Sequence, residues 1–349
     1  MKIKTAVVGS GLIATLKHLP SYGRLKDRVE LVAVCDVNEE RAREIASKFH
    51  APNYYTDLGE LLEREKPDLV DICTPPRTHV DLAIKALSGG ANVMVEKPMA
   101  IDVEQCDRMI SAAAAAGKQI CVGHSDLFYR SFLRMREMVK AGSIGEFRGM
   151  RIFLLTPIDY ITSKPDHWAH ALPGGVVGET GPHVVYMTLA FIPSIKDVVV
   201  RAQKLLAEYP WSPFEDYRIE LVGENATSSI TLAYTTKHWA AQVEVWGTDG
   251  LIRADLETQS VLLYRRPSLS PPVAALSALN EPIQLFTSAV SNAIRYARRQ
   301  IDTTHDLLLG QYVDSLLHGG VAPVTAQEGR ESIRVMHEIS AQLSTPASA

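Results

Sequence analysis

The apolar positions of the first third of the chain fall in short runs, about four to eight residues each, separated by stretches with helical spacing. Apolar runs of this kind are typical of strands covered on both faces, and their alternation with helices predicts a parallel sheet. Six runs are expected to be strands: IKTAVVG, VELVAVCD, PNYYT, LVDICTP, ANVMVEKP and QICVGH. Predicted helices between them include residues 39–49, 79–87 and 102–116, the last begun by Asp102 and closed by Gly117.

After the sixth run the pattern changes, because strand-like segments now follow one another directly: FRGMRIFLL, DYRIELVG, ATSSITLAYTT, QVEVWGT, GLIRADLE and SVLLYRR. This pattern predicts a mostly antiparallel sheet. Residues 267–282, rich in Ser, Pro and Ala, are expected to form a long loop or a poorly ordered insertion, followed by helices over 283–299 and 304–317. A last helix is expected from Thr325, whose spacing from Glu328 matches a capping box.

Together these patterns predict an α/β chain of two domains. Residues 1–123 would form a Rossmann-type, doubly wound parallel sheet, and residues 124–349 an α+β domain with a large, mostly antiparallel open sheet. A length of 349 residues, 46% of them hydrophobic and 22% charged, suffices for two cores and excludes a disordered chain. A net charge of −4 offers no basic surface to nucleic acid or to an anionic membrane, which favours a small-molecule partner.

The compartment follows from the cysteines and from the first residues. The four cysteines lack C-x-x-C spacing and the density of a disulfide framework, so they are expected to be buried thiols in a reducing compartment. The opening MKIKTAVVGSGLIATL is interrupted by glycines and has no small-residue cleavage site close behind it, unlike a signal peptide. No stretch approaches the roughly 20 apolar residues of a membrane-spanning helix. A cytoplasmic protein is therefore expected.

A dinucleotide fingerprint of the form G-x-G-x-x-A follows the first strand: Gly9-Ser10-Gly11-Leu12-Ile13-Ala14. Gly9 permits the tight turn, Gly11 lets the backbone approach a pyrophosphate, and Ala14 keeps the helix close to the sheet. Asp36 ends the second strand, where its carboxylate can accept hydrogen bonds from an adenosine ribose. The alternative interpretation is a glycine turn and a helix-capping aspartate with no nucleotide.

Asp36 also bears on which nucleotide would bind. A carboxylate repels a 2′-phosphate, so the sequence favours NAD over NADP as the cofactor. Arg41, on the following helix, could turn towards such a phosphate, although a solvated ion pair is the commoner use of an exposed arginine. NADP therefore stays open as the second choice.

The segment ICTPPRTHVDLAIKALSGGANVMVEKPMA, together with the fingerprint, resembles the glucose-fructose oxidoreductase, inositol dehydrogenase and MocA superfamily. A GG-x-x-x-E-x-G-x-H segment at residues 174–183 extends the resemblance over nearly the whole chain. The resemblance implies a Rossmann domain, a second domain with a large sheet, and a returning C-terminal helix. It also implies that the following residues line the cofactor, the last two beside the nicotinamide ribose and the reacting carbon: Thr74, Pro75, Pro76, His79, Glu96 and Lys97.

A physical argument independent of the resemblance also supports a catalytic role for Lys97. The loop after a parallel strand lies at the sheet edge where ligands bind in open α/β folds. An ammonium at this edge can exchange a proton with a substrate hydroxyl. The alternative is a surface lysine paired with Glu96.

Glu179 and His183 stand four residues apart, which places both side chains on one face of a helix. By the resemblance, His183 transfers a proton or orients the substrate. The superfamily usually has Asp where this chain has Glu179, so the division of acid-base work with Lys97 can differ from that of inositol dehydrogenase. An ordinary helical pair at a core edge is the alternative.

Further candidates and departures surround these residues. His167 and Trp168 offer a hydrogen-bond group and an aromatic face to a sugar, although such loop residues are often packing groups. No ordered ligand spacing such as H-E-x-x-H is present, so no metal is expected. Related sequences often carry Asn and Arg where this chain has Ser125 and Leu127, which makes the substrate of any one relative an unsafe guide.

Three functions are compatible with these residues. The first is a nicotinamide-dependent oxidoreductase that transfers a hydride to or from a carbinol carbon of a sugar, cyclitol or sugar derivative, with Lys97 and His183 handling the hydroxyl proton. The second is a glycoside-cleaving enzyme that uses NAD transiently, and the third is a nucleotide or sugar sensor without turnover.

The resemblance further implies a homodimer or homotetramer assembled through the C-terminal sheet. Trp239 and Trp246 are available as interface anchors, although both equally suit an ordinary core.

Overall fold

The structure is a computed structural model that describes residues 2–172, 174–298 and 302–344. Its contacts divide the chain into two compact units. The first unit consists of Met1–Ser125 and Asp302–Arg334, and the second of Asp126–Ile301 and Val335–Ala349.

The first unit is built on a parallel sheet of six strands: β1 (Ile3–Val8), β2 (Val29–Cys35), β3 (Asn53–Tyr55), β4 (Leu69–Ile72), β5 (Asn92–Val95) and β6 (Ile120–Val122). Their order across the sheet is β3-β2-β1-β4-β5-β6, with every pair parallel. All six predicted strands and the doubly wound fold are confirmed. The chain reverses its direction of progress between β1 and β4, the point at which open α/β sheets bind ligands.

The second unit contains a sheet of seven strands: β7 (Phe147–Pro157), β8 (Asp197–Gln203), β9 (Asp216–Val222), β10 (Thr227–Thr236), β11 (Ala240–Gly247), β12 (Leu251–Asp255) and β13 (Ser260–Tyr264). Their order is β13-β12-β11-β7-β10-β9-β8, and only the β7–β10 pair is parallel. The mostly antiparallel sheet is therefore confirmed. Sequence reasoning missed β8, an edge strand in which Val198 is the one buried position.

The α-helices of the described residues are α1 (Leu19–Arg24), α2 (Glu39–Lys48), α3 (Leu58–Glu65), α4 (His79–Ser88), α5 (Val103–Ala116), α6 (Arg130–Lys140), α7 (Val177–Leu189), α8 (Pro271–Ala297), α9 (Thr304–His318) and α10 (Ala326–Ser344). The predicted caps of α5 are confirmed. Asp102 accepts a hydrogen bond from the N–H of Gln105 at 2.7 Å, and Gly117 ends the helix with a φ of 61°. Thr325 and Glu328 form the predicted reciprocal contacts at the start of α10.

The loop predicted over residues 267–282 is wrong, because α8 runs without a break through most of that segment. Pro271 and Pro272 lie in its first turn, where N–H groups have no partner within a helix and a missing one does little harm. The alanines and leucines that follow favour a helix. Pro282 lies inside it. The last residue of the predicted helix, Arg299, lies outside the described residues.

α8 faces β13 with polar side chains. Gln284 accepts a hydrogen bond from the N–H of Leu263 at 2.8 Å and donates one to its carbonyl oxygen at 3.0 Å. Large apolar side chains of the same helix are exposed: Leu276, Leu279, Ile283, Leu285, Phe286, Val290 and Ile294. No described helix combines the length and the apolar character that crossing a membrane requires.

One face of the seven-stranded sheet is buried and apolar, and a row of charged and polar side chains crosses the other. Directly paired positions on the buried face carry Ile219, Ile230, Ile152, Val243 and Ala254. The neighbouring row on the opposite face carries Glu220, Ser229, Arg151, Glu244 and Arg253. Glu244 lies 2.6 Å from a guanidinium nitrogen of each arginine in that row. The nearly buried Glu244 carboxylate is thus balanced by two guanidinium groups.

α9 joins the first unit through a buried tyrosine. The Tyr312 hydroxyl lies 3.1 Å from the carbonyl oxygens of Val93 in β5 and of Gln119 before β6, and its side chain is fully buried. A buried hydroxyl needs a partner, and these two carbonyls supply it.

We expect Tyr312→Phe to lower the free energy of unfolding by about 1 kcal/mol, because one buried hydrogen bond is lost while the ring is kept. Urea unfolding measures this change. Tyr296→Phe, at an exposed tyrosine of α8, is the matched control and should leave the unfolding midpoint unchanged. Equal midpoints for the two variants would contradict the assignment.

Candidate active site

The fingerprint loop follows β1 at the carboxyl edge of the parallel sheet. Gly9 has a φ of +93°, and a β-carbon at this position would lie 2.8 Å from the carbonyl oxygen of Cys73 and from the Thr74 side chain. Only glycine combines this backbone conformation with such a close approach. The helical residues that follow begin at Leu12, so their free N–H groups lie beside this turn and can receive a phosphate.

Asp36 closes the same edge from β2. Its Oδ2 accepts a hydrogen bond from the N–H of Ser10 at 2.8 Å, and its Oδ1 accepts one from the N–H of Asn38 at 3.0 Å. The structure therefore brings the fingerprint and Asp36 together. Arg41 is exposed on α2. The contact of Asp36 with a ribose stays a prediction.

His79 braces the loop after β4 against the turn after β5. Its Nε2 lies 2.8 Å from the carbonyl oxygen of Thr74, and its Nδ1 lies 3.1 Å from that of Pro98. Burial holds the pKa of His79 below its ordinary value, so the neutral ring is favoured and donates to one of these oxygens. Thr74, Pro75, Pro76 and His79 all lie in the loop after β4 or at the start of α4, and their contact with a cofactor stays a prediction.

Glu96 and Lys97 form the turn after β5. The nearly buried Glu96 carboxylate accepts a hydrogen bond from the N–H of Lys97 at 3.1 Å through Oε2. Its Oε1 lies 2.9 Å from Nε2 of His18. A β-carbon at Gly123 would lie 2.8 Å from the same Oε1, so the carboxylate is closely confined. The Lys97 side chain is partly exposed.

Sequence reasoning missed His18 and its partner Asp71. His18 ends a π-helical turn, Ala14–His18, and its Nδ1 lies 2.7 Å from the Asp71 carboxylate of β4. Burial opposes protonation of His18, but the charge and hydrogen bond of Asp71 raise its pKa well above the ordinary value. No spacing in the sequence links these two residues, which are 53 positions apart.

His18 and its neighbours Asp71, Cys73, Glu96 and His305, here called the His18 cluster, have side chains of metal-ligating types. Two overlapping sets have candidate atoms within 4.8 Å of one another: His18, Glu96 and His305, and His18, Asp71 and Cys73. Each ring nitrogen of His18, however, faces a carboxylate oxygen at hydrogen-bond distance, which is the geometry of a protonated imidazole between two carboxylates.

The second unit holds His183 in α7, paired with a carboxylate. Its Nδ1 lies 2.7 Å from Oδ2 of Asp126 and 2.7 Å from the hydroxyl of Tyr186, which in turn accepts the N–H of Asp126 at 3.1 Å. An ionised carboxylate only accepts hydrogen bonds, so Nδ1 carries a proton and Nε2 is left as the basic nitrogen. Sequence reasoning missed Asp126, which lies between Ser125 and Leu127, the two positions that depart from related sequences.

Glu179 lies one helical turn before His183 on α7. A glycine turn precedes this helix, with φ values of 78° and 73° at Gly174 and Gly175. His167 lies near Glu179: burial and the neighbouring His170 and Lys164 lower the pKa of His167, while the Glu179 charge partly opposes them.

Trp168 stacks on His167 with ring centroids 5.7 Å apart, and 57% of its side chain is exposed. An exposed indole face next to an imidazole is compatible with the predicted sugar contact. Ser125 and Leu127, the positions that depart from related sequences, are both nearly buried.

Two sequence models of one family match the chain. The oxidoreductase family with an NAD-binding Rossmann fold matches residues 3–124, and the GFO/IDH/MocA C-terminal domain matches residues 132–253. The chain belongs to the Gfo/Idh/MocA oxidoreductase family. The predicted membership is confirmed in both halves of the chain.

Curated relatives include a D-glucoside 3-dehydrogenase of Escherichia coli K12, 34% identical over 144 residues, which are 41% of this chain and 41% of that protein. A myo-inositol 2-dehydrogenase of Thermotoga maritima is 32% identical over 163 residues, 46% of this chain and 48% of that protein. The match therefore spans less than half the length of each relative.

Among solved structures, an NAD binding oxidoreductase from Klebsiella pneumoniae superposes with a TM-score of 0.80 at 20% identity. The match covers 98% of this chain and 96% of that one. At this level of identity the likeness shows the shared two-part fold of the family.

The residues present fit NAD, the cofactor of the family's Rossmann fold. Gly9 leaves space at the fingerprint turn that any side chain would fill. The dinucleotide would be held by the loop from Gly9 to Ile13, by Asp36, and by the loops that start at Thr74 and Glu96.

We expect Gly9→Ala to weaken NADH binding about tenfold or more, because the new β-carbon displaces the loop from Cys73. Tryptophan fluorescence or calorimetry measures the dissociation constant. Gly90→Ala is the matched control: Gly90 has a φ of +87°, but no atom lies within 4 Å of its added β-carbon. Both variants bear a strain of about 1 kcal/mol, and only Gly9→Ala should lose affinity. Unchanged affinity in Gly9→Ala would place the nucleotide elsewhere.

Proposed function

We propose that the protein is a dehydrogenase that transfers a hydride between the nicotinamide of NAD and a carbinol carbon of a sugar, cyclitol or sugar derivative. Family membership and the named activities of the glucoside and inositol relatives support the proposal. The observation that carries it is the pairing of His183 with Asp126, which leaves one basic imidazole nitrogen.

Oxidation of a carbinol removes a hydride from carbon and a proton from oxygen. When bound, NAD supplies the carbon that accepts the hydride. His183 accepts the hydroxyl proton at Nε2, and Asp126 stabilises the imidazolium that forms. The Lys97 ammonium stabilises the developing negative charge on the substrate oxygen and can exchange the same proton. Reduction of the carbonyl follows these steps in reverse.

Three assignments accompany this mechanism. Glu179 orients the substrate or shares proton transfer, because it lies on the same helix one turn before His183. Trp168 and His167 offer a sugar an apolar face with a polar edge. Asp36 favours NAD over NADP, because its carboxylate stands where a 2′-phosphate would have to be neutralised.

We also propose a cytoplasmic homodimer or homotetramer that uses the seven-stranded sheet. Trp239 is 54% exposed, whereas Trp246 packs over Gly149 within the sheet and is less available as an anchor. The row of charged and polar side chains centred on Glu244 gives such an interface a polar character.

We expect Lys97→Ala to abolish turnover while NADH affinity stays within about tenfold, or about 1.4 kcal/mol, because the ammonium acts on the substrate oxygen. The assay follows the absorbance of reduced nicotinamide with NAD and, separately, NADP over sugars, cyclitols, sugar acids and glycosides. Lys85→Ala, a lysine of the same unit paired with Asp57 at the surface, is the control.

Retained turnover in Lys97→Ala would contradict its catalytic role. Wild-type protein that binds NADH but oxidises none of these compounds would contradict the dehydrogenase. Reduced cofactor that forms with a glycoside and is never released would favour transient-redox cleavage instead.

We expect Asp126→Asn to lower kcat about 100-fold or more, because the amide can donate to Nδ1 and so favours the tautomer in which Nε2 is no longer basic. Steady-state kinetics with a substrate that the panel assay identifies measures the change. Asp249→Asn, in the exposed turn between β11 and β12, is the control and should keep its kcat. A kcat within about twofold of wild type for Asp126→Asn would exclude His183 as the base.

A further inference from the structure

The His18 cluster reaches from the first helix to the turn that carries Lys97. Nδ1 of His18 lies 2.7 Å from Asp71 of β4, and Nε2 lies 2.9 Å from Oε1 of Glu96 after β5. The imidazole therefore bridges two neighbouring strands of the parallel sheet. The side chains of His18 and Asp71 have no exposed surface, and that of Glu96 has 10%.

Each ring nitrogen of His18 faces an oxygen of a buried carboxylate. Ionised carboxylates only accept hydrogen bonds, and a neutral imidazole donates one, so a neutral ring would leave one of these two oxygens facing a ring nitrogen that carries no proton. A protonated ring serves both carboxylates and balances one of their two charges. Burial alone would raise the pKa of Glu96, but the hydrogen bond and charge of His18 lower it to about 2.

Titratable and charged groups in and around this cluster lie on several elements. They are Tyr22 on α1, Asp71 on β4 with Cys73 after it, His79 on α4, Lys97 beside Glu96, and His305 and Tyr312 on α9. Nε2 of His18 lies 2.9 Å from Oε1 of Glu96, whereas Nε2 of His305 lies 3.9 Å from the same oxygen.

The second oxygen of Glu96 carries the effect to the Lys97 turn. Oε2 accepts the N–H of Lys97 at 3.1 Å, while Gly123 packs against the carboxylate from behind. A carboxylate held at one oxygen by His18 therefore fixes the backbone at Lys97 through the other. Loss of His18 would release the carboxylate and favour its protonated form.

We propose that His18 is a positioning residue, which bridges Asp71 and Glu96 and thereby fixes the turn that presents Lys97. The proposal rests on the catalytic role proposed above for Lys97. His18 contacts neither cofactor nor substrate in this scheme and acts through the Glu96 carboxylate alone.

His18→Asn is the test variant, because the short amide cannot reach both carboxylates. Tyr22→Phe is the control: Tyr22 is equally buried one helical turn further along and faces Asp71, so its loss perturbs the core without touching the link to Glu96. A double variant, His18→Asn with Glu96→Gln, removes the negative charge of residue 96 as well as the imidazole. The amide oxygen of the new glutamine can still accept the Lys97 N–H.

Amide hydrogen exchange tests the positioning without any turnover. We expect exchange at residues 96–99 to rise about tenfold or more in His18→Asn, with the strands of the sheet unchanged, and to return towards wild type in the double variant. Tyr22→Phe should leave these residues protected. Uniformly faster exchange over the whole first unit, or no change at residues 96–99, would overturn the proposal.

Nitrogen NMR of the histidine side chains tests the charge state. Both ring nitrogens of His18 should stay protonated at about pH 8, above the ordinary imidazole pKa of about 6.5. A neutral ring, or a stoichiometric metal ion bound through an unprotonated His18 in the purified protein, would overturn the proposal.

Kinetics then links the position of the turn to the chemistry. In His18→Asn we expect kcat to fall about 10- to 100-fold while the NADH dissociation constant stays within about tenfold. The pKa of Glu96 is no longer held down in this variant, so its kcat should fall further as the pH is lowered through the weakly acidic range, where wild-type Glu96 remains ionised. An unchanged kcat and pH profile would overturn the link to Lys97.

The two proposals fail in distinguishable ways. If wild-type protein turns over no substrate, the dehydrogenase proposal fails, and exchange and NMR still decide the role of His18. If wild-type protein is active and His18→Asn matches it in all three measurements, only the positioning role fails.

Discussion

A carboxylate in the middle of a fully buried strand constrains the whole first unit. All four residues of β4 are buried, and Asp71 is one of them. An unpaired carboxylate at such a position would cost several kcal/mol, so the fold must bring it a cation from another element. His18 is that cation. The helical turn Ala14–His18 is widened to a π-turn at this point, which is a common way for a helix to place one functional side chain.

Short polar contacts join the loops at the carboxyl edge of the parallel sheet. Asp36 accepts the N–H of Ser10, and Glu96 accepts the N–H of Lys97. His79 lies between the carbonyl oxygens of Thr74 and Pro98. Each contact joins a side chain to the backbone of a loop. Loops fixed in this way can present catalytic and binding groups with the accuracy that rigid elements otherwise provide.

Local signals in the sequence sufficed for most of the scaffold. The strands of the parallel sheet are mostly apolar runs, and Asp102 and Gly117 mark the two ends of α5 by chemistry that acts over one turn. The signals failed where tertiary contacts decide. β8 is an exposed edge strand without a clear apolar face. The prolines at 271–272 favoured the prediction of a loop, although they lie in the first turn of α8.

The candidate site shows the same difference between local motifs, which the sequence reveals, and distant partners, which it does not. Gly9, Asp36 and the Glu96-Lys97 turn could be found in the sequence because each directly follows a recognisable strand. The partners Asp126 of His183 and Asp71 of His18 are 57 and 53 residues away, and no periodicity connects them. Such pairs are created by the packing of distant elements.

The pairs His18–Asp71 and His183–Asp126 have the same chemistry and opposite settings. His18 and Asp71 have no exposed side-chain surface, whereas His183 and Asp126 are each 22% exposed. A buried imidazolium held at both nitrogens has no free lone pair, so it can fix neighbouring groups but cannot accept a proton. A ring held at Nδ1, with access to solvent, keeps a basic nitrogen for a reacting hydroxyl. Burial, more than the identity of the pair, therefore separates the positioning role proposed for His18 from the proton transfer proposed for His183.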